Sequence, residues 1–387
     1  MAMLTSLVAL SIDAVLPALP AIGGDLGVVR DNDNQLVISL LFLGFAVGQM
    51  IYGPLSDSTG RKPAAYVGLG LFIGGSVLSM MAWSFRAVLL GRFLQGVGVA
   101  GPRTITLALV RDQYAGREMA RVMSFVMAIF ILVPVVAPTI GQTIMLLAGW
   151  RAIFGAYLAM ALVTTVWFVW RQPETLPPAR RMPLSAERLA RAVLEVFRSR
   201  IAVGYTVAAG LVFGSFLGYL NSAQQILQVQ YGLGSRFPLY FAILAIAIGG
   251  SSLSNARLVM RYGMQSLASR SLLAIAAVSS VFLMVAWALG GHPPLWALMG
   301  YLVLVFFGVG VLFGNLNALA MEPLGHVAGT GAAVVGSLST LISLVLGTAI
   351  GQSYNQTILP LVAGFAVLSA GAALLVRRTG RFREEPG

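Results

Sequence analysis

Stretches of about 20 mainly apolar residues, the length an α-helix needs to cross the hydrocarbon core of a bilayer, recur along the whole of this chain. Twelve can be traced, centred near Asp13, Phe45, Gly74, Val99, Leu132, Leu162, Leu211, Leu244, Val281, Phe306, Ser339 and Val367. Inside lipid every backbone amide must find a partner within the protein. Segments this long manage that only as helices, since barrel strands are half the length and alternate strictly. The expected fold is an all-α membrane protein with twelve transmembrane helices. Composition agrees, with 58% hydrophobic and 10% charged residues and a mean hydropathy of +0.86, against roughly 25% charged residues in soluble domains.

The arginines set the orientation. With both termini in the cytoplasm, Arg30, Arg86, Arg151 and Arg236 fall outside and Arg92 and Arg103 within one membrane segment, leaving nineteen of the 25 Lys and Arg on the cytoplasmic side. That is the bias of the positive-inside rule. It also accounts for the net charge of +12: cations spread over short loops face an anionic leaflet, and nucleic acid is not an expected partner. There is no cysteine, and His292 and His326 are too few and too separated for a metal site, so neither metal nor cofactor is expected. The N-terminus lacks a basic region ahead of its apolar run, which reads as an uncleaved first span. Met1 lies almost against that span, so a few native residues are expected to precede it.

One internal loop is long, and it divides the spans six and six. The expected organisation is an N-terminal half over 1–170, a cytoplasmic linker over 171–200, a C-terminal half over 201–376 and a basic tail over 377–387. Within the linker, Leu189, Val193, Val196 and Phe197 share one helical face, with Arg188, Arg191 and Arg198 on the other, as in a helix lying on the inner membrane surface. An offset of about 203 residues aligns the second span with the eighth and Gly60 with Gly263. Under that offset Asp13 and Arg92 fall opposite Phe216 and Leu295, so intramembrane charge belongs to the first half alone. Small residues four apart, Gly44 with Gly48, Gly70 with Gly74 and Gly347 with Gly351, read as places of close helix approach.

Asp13 stands within the apolar run LVALSIDAVLPALP, and a charge there is costly enough to be a functional candidate by default. Arg92 and Arg103 are eleven residues apart on the fourth span, on one helix face and about 16 Å apart along it. They should point into the bundle or a wet cavity rather than at lipid. Between the second and third spans, GPLSDSTGRKP offers a tight turn at Gly60 with Asp57, Arg61 and Lys62 as an ion-pairing set.

This loop resembles the signature loop of the major facilitator superfamily, G-x-L-x-D-R-x-G-R-R/K, through Gly53, Leu55, Asp57, Gly60, Arg61 and Lys62; Ser58 stands where an Arg is usual. The resemblance implies two pseudo-symmetric six-helix halves, and a latch in which Asp57 and Arg61 meet the start of the eleventh helix, after GHVAG. Arg92, Gln95, Gly96 and Gly98 match a second superfamily pattern, R-x-x-Q-G-x-G, typical of proton-coupled members. Pro134, Pro138 and Gly141 of FILVPVVAPTIGQ resemble the antiporter motif, with the prolines bending the fifth span. The first span, with Asp13, Leu16, Pro17, Leu19, Pro20, Asp25, Leu26 and Gly27, is similar to the drug:proton antiporters that include bicyclomycin and chloramphenicol exporters. Segments from Val110 and from Met321 are similar to that group too.

These readings converge on proton-coupled efflux of uncharged or cationic amphipathic molecules by a monomer in contact with membrane lipid, with no enzymatic chemistry. Asp13, Arg92 and Arg103 are the expected coupling residues. Asp13, Gln95, Met123, Met127, Phe130, Tyr219, Asn221, Gln224, Gln225, Asn315 and Asn317 are the expected substrate wall, where helix-to-helix hydrogen bonding is an equal account of the amides. Nucleotide-driven transport is disfavoured by the lack of a G-x-x-x-x-G-K-S/T loop. A transporter dedicated to one sugar, amino acid derivative or siderophore is the alternative. A scaffold or sensor fits worst, because it has no reason to keep buried charges.

Overall fold

The computed structural model describes residues 1–384; the side chains of Ala120, Met127, Phe130, Ile131, Ala186 and residues 381–384 are outside the described set. Among the described residues the chain is helix and turn, without a β-strand. Ten helical stretches are long and apolar enough to cross a membrane. One of them, Leu295–Gln352, is 58 residues long and holds two successive spans, while the apolar helix Leu132–Ala148 lies in the fifth. These make up the expected twelve.

The first span is broken. Helix α1 (Ala2–Asp13) stops at the carboxylate, a 3-10 turn follows at Leu16–Ala18, and α2 (Leu19–Asp25) completes the crossing. Pro17 and Pro20 cause the break, since each lacks the N–H that would bond one turn back, to the carbonyls of Asp13 and Leu16. Then come α3 (Leu36–Thr59), α4 (Arg61–Met80), α5 (Phe85–Gln113), α6 (Gly116–Ala148) and α7 (Arg151–Arg171). A Cβ on Gly44 or Gly48 of α3 would run into the α5 backbone, so these glycines set how closely the helices cross. Gly70 and Gly74 have nothing within 4 Å of a Cβ, so that pair does not mark a close approach. Pro134 and Pro138 lie inside α6.

The linker helix α8 (Ala186–Arg198) precedes α9 (Arg200–Ala223), which passes into π-helical turns at Gln224–Gln230. After these come α10 (Phe237–Tyr262), α11 (Met264–Ala288), α12 (Leu295–Met321), α13 (Ala328–Gln352) and α14 (Leu359–Glu384). On α8, Ala192 and Val196 are buried but Phe197 is exposed, so the protein-facing side is narrower than the apolar face read from the sequence.

The chain forms two compact units, Met1–Ala190 and Arg191–Gly387. Each repeats one packing scheme. In the first, α1 packs on α5, α6 and α7, α3 on α5, and α4 on α5 and α7. In the second, α9 packs on α12, α13 and α14, α10 on α12, and α11 on α12 and α14. Counted in spans, every pair in the second list is a pair in the first moved on by six, as expected of a duplicated six-helix half.

Candidate functional site

Asp13 is the last residue of α1, at the break, and is 5% exposed. Among the described residues no hydrogen bond or ion pair reaches its carboxylate, so neither Arg92 nor Arg103 pairs with it. Arg92, 0% exposed, is instead held by neutral acceptors. Its Nη2 donates to the Ser11 carbonyl at 2.8 Å, its Nε to the Val37 carbonyl at 3.0 Å, and its Nη1 to Gln95 Oε1 at 2.8 Å. Gln95 Nε2 donates on to Ser76 Oγ at 2.9 Å, and that hydroxyl to the Phe72 carbonyl. Tyr157 Oη donates to the Leu10 carbonyl at 3.2 Å. The Ser11 and Leu10 carbonyls belong to the last turn of α1, the negative end of its dipole, so a guanidinium there is stabilised without a carboxylate. Both ends of the Gln95 amide are used within the unit.

Arg103 has a different setting: it is exposed, and its guanidinium carbon stands 5.4 Å from the centroid of the Phe45 ring. Gly141 of α6 lies against the break in the first span. A Cβ there would run into the Ala14 carbonyl, which is why the chain keeps this glycine. At the far end of the same span, Asp25 accepts from Trp150 Nε1 at 2.8 Å and from Arg151 at 3.3 Å, tying α2 to the start of α7.

The loop between α3 and α4 is a second built site. Gly60 has φ +109° and ends α3. Arg61 donates to Asp57 at 2.5 Å, to Ser56 Oγ at 2.9 Å and, through Nε, to Asp112 of α5 at 2.8 Å; Thr175 Oγ1 donates to the same Asp112 oxygen at 2.8 Å. Lys62 Nζ donates to the Val169 carbonyl at 3.3 Å. The linker is fastened here. Glu174 accepts from the backbone N–H of Arg61 at 2.9 Å and of Lys62 at 3.0 Å, capping α4 with a carboxylate, and the Met182 N–H donates to the Asp57 carbonyl. Burial works to raise the Glu174 carboxyl, but the N–H groups of Leu176, Lys62, Arg61 and Thr175 outweigh it and hold the group below the usual carboxylate range. Sequence reading found Asp57, Gly60, Arg61 and Lys62. It missed Glu174, Asp112, Thr175, Ser76 and Tyr157, whose partners lie far away in the chain.

In the second unit the expected wall residues divide. Tyr219, Asn221, Gln224, Gln225 and Asn315 are buried, and Asn317 is exposed. Asn315 exchanges amide hydrogen bonds with Asn255 of α10, at 2.9 and 3.4 Å, so it serves as helix-to-helix glue. Gln224 donates to Gln228, and the Gln225 carbonyl accepts from Tyr354. Met123, in the first unit, is half-buried; the side chains of Met127 and Phe130 are outside the described residues. Phe216, Phe306 and Phe313, missed as site candidates, form with Phe213 and Tyr219 a continuous set of ring contacts. An apolar groove of about 500 Å³ between α11 and α12, lined by Val281, Phe282, Trp296 and Tyr301 among others, contains none of the expected residues.

Comparison with known proteins gives these features a setting. The chain is 30% identical over 363 residues to a Bacillus subtilis protein described as an uncharacterized MFS-type transporter, covering 92% of this chain and 88% of the relative. It is 28% identical to a bicyclomycin resistance protein homolog of Haemophilus influenzae, covering 91% and 87%. It is 30% identical to a chloramphenicol resistance protein of Pseudomonas aeruginosa, covering 88% and 82%. Among solved structures, a D-xylose-proton symporter superposes with a TM-score of 0.73 at 14% identity, over 97% of this chain and 95% of the other, which establishes likeness of fold. With twelve spans in two repeating units, and with the family profile of the Major Facilitator Superfamily matching residues 1–348, the chain belongs to that superfamily of membrane transporters.

Proposed function

We propose that this protein exports uncharged or cationic amphipathic drug-like molecules across the bacterial cytoplasmic membrane in exchange for protons, with Asp13 as the proton carrier. The observation that carries this reading is the Asp13 carboxylate: buried at a break in a membrane helix, with no hydrogen bond or ion pair among the described residues. A lone carboxylate in such a place is tolerable in two states, protonated or opposite a cation. A proton and a cationic substrate therefore exclude one another there, which is the condition antiport requires. An uncharged substrate couples less directly, by occupying space that the charged side chain needs for hydration.

Arg92 holds the α1 terminus in register, so its role is to position Asp13 rather than to neutralise it. Resistance proteins among the relatives support a drug-like substrate. The cycle is alternating access in a monomer, with both termini cytoplasmic and no cofactor, driven by the proton gradient. Loading of Asp13 from outside expels substrate, and substrate arriving from the cytoplasm expels the proton. Ethidium export into everted vesicles under an imposed proton gradient tests it. Asp13→Asn should abolish gradient-driven export while the protein still inserts; export at the wild-type rate overturns the reading.

A further inference from the structure

Pro17 and Pro20 interrupt the backbone ladder that would lock α1 to α2, and the interruption falls beside the Asp13 carboxylate. A side chain at such a junction keeps a fixed position only if other elements hold both pieces. Helix α7 reaches both. At its start Trp150 Nε1 donates to Asp25 Oδ2 at 2.8 Å, and Arg151 donates to the same oxygen at 3.3 Å, which fixes the far end of α2. Arg151 also donates to the Ala82 carbonyl at 3.2 Å, in the turn after α4. Two turns further along α7, about 10 Å, Tyr157 Oη donates to the Leu10 carbonyl at 3.2 Å, in the last turn of α1.

A row of rings joins these contacts. Trp150, Phe154 and Tyr157 follow at spacings of four and three residues, hence on one helix face. Trp150 meets Phe154 edge-on at 6.0 Å, and Phe154 meets Tyr157 edge-on at 5.8 Å. All three are at most 4% exposed, and Phe72 of α4 closes on Tyr157 at 6.4 Å. Rings packed this closely do not change rotamer one at a time, so the row holds the Leu10 carbonyl and the Asp25 carboxylate at a set separation. The Asp25–Arg151 ion pair is about half exposed and contributes little. The buried donors Trp150 Nε1 and Tyr157 Oη carry the tie, since each is costly to leave without its acceptor. Arg92 grips the same turn of α1 from α5, through the Ser11 carbonyl. Held by its carbonyls from two helices, the α1 terminus presents Asp13, its last residue, at one place.

We infer that α7 splints the broken first span, with Tyr157 and Trp150 as positioning residues for Asp13. This role rests on the export reading and adds two residues to its coupling machinery. With the splint slack, Asp13 leaves the place where proton and substrate exclude one another, and substrate moves without the proton. Phenylalanine tests it at both positions, because it keeps a ring in the row and removes the donor. Purified variants in proteoliposomes are assayed for ethidium counterflow down its own gradient and for uphill ethidium movement driven by an imposed pH gradient. The quantity compared is the ratio of the uphill to the counterflow rate, which does not depend on the amount of folded protein. Tyr157→Phe and, separately, Trp150→Phe should lower that ratio about two- to tenfold, the span of one net hydrogen bond. Tyr66→Phe should leave it unchanged, since Tyr66 meets α7 at Phe168, near the other end of the helix. A parallel fall in both rates with a lower apparent Tm overturns the inference and marks the row as packing alone. An unchanged ratio in either variant also overturns it, because a splint needs both ends, and leaves the export reading intact. Wild-type protein that shows no uphill movement overturns the export reading and this inference together.

Discussion

Asp13 and Arg92 are both buried charges in the first unit, and their neighbours give them opposite roles. Arg92 has three acceptors, so Arg92→Ala strips donors from the Ser11 and Val37 carbonyls and from Gln95. The expected cost is at least about 3 kcal/mol, read as a lowered apparent Tm in detergent. Arg92→Lys should fall between, because an ammonium cannot span the same three acceptors with a planar fork. Asp13→Asn should not lower the apparent Tm, since it removes a lone buried carboxylate rather than a partner. A large drop for Asp13→Asn would mean that the carboxylate is held by a group in the folded state after all. Both residues stood out in the sequence as charges in apolar runs. Their failure to pair did not, because pairing is decided by distances across three helices.

Two short elements depend on glycine or on a remote carboxylate. Pro17 and Pro20 entered the sequence reading only as part of a resemblance; the break they cause and the close seating of α6 against it, carried by Gly141, appear in the structure. Gly141→Ala should destabilise by about 1–3 kcal/mol or prevent folding, whereas Gly70→Ala, with open space around it, should be silent; yields and Tm of the two variants compare them. At the start of α4, Glu174 supplies the cap that no neighbour in sequence provides. Its carboxyl lies lower in the folded protein than in the unfolded chain, so its stabilisation is fully present above the ordinary glutamate range, about 4.3, and is lost as pH falls through the folded value. Glu174→Gln should cost about 1 kcal/mol near neutrality and flatten the acid side of the Tm-against-pH curve below about pH 4.3. A curve parallel to wild type would remove Glu174 from the account. The linker thus begins as a strap fastened to the first unit, through contacts that the sequence reading of residues 171–200 as a cytoplasmic linker did not include.

Across the whole molecule, a repeated scaffold carries an asymmetric set of groups. The packing scheme recurs after six spans, yet the carboxylate and the buried guanidinium belong to the first unit and the linked rings of Phe213, Phe216 and Phe313 to the second. Transport by such a molecule separates into movement of the protein and coupling to the proton. Asp13→Asn in proteoliposomes should therefore keep substrate counterflow down its own gradient while losing uphill movement driven by pH. Loss of both would place Asp13 in substrate binding or in the conformational change itself.

The sequence by itself determined that the chain crosses the membrane as helices, and how many times. Those outcomes follow from local quantities: apolar length and the satisfaction of backbone amides within one segment. It also singled out Asp13, Arg92, Asp57 and Arg61, because a charge in an apolar run or a tight loop is visible without coordinates. Only the tertiary structure decided what those groups touch. Arg92 meets Ser11 and Val37, Arg61 meets Asp112, and Glu174 caps a helix more than a hundred residues before it. The ring contacts of α9 and α12 are of the same kind, since Phe213 and Phe216 stand far from Phe313 in the chain and meet it only when their helices pack. Hydrogen bonds and ring contacts act over a few ångströms in space, and separation along the chain does not reveal them.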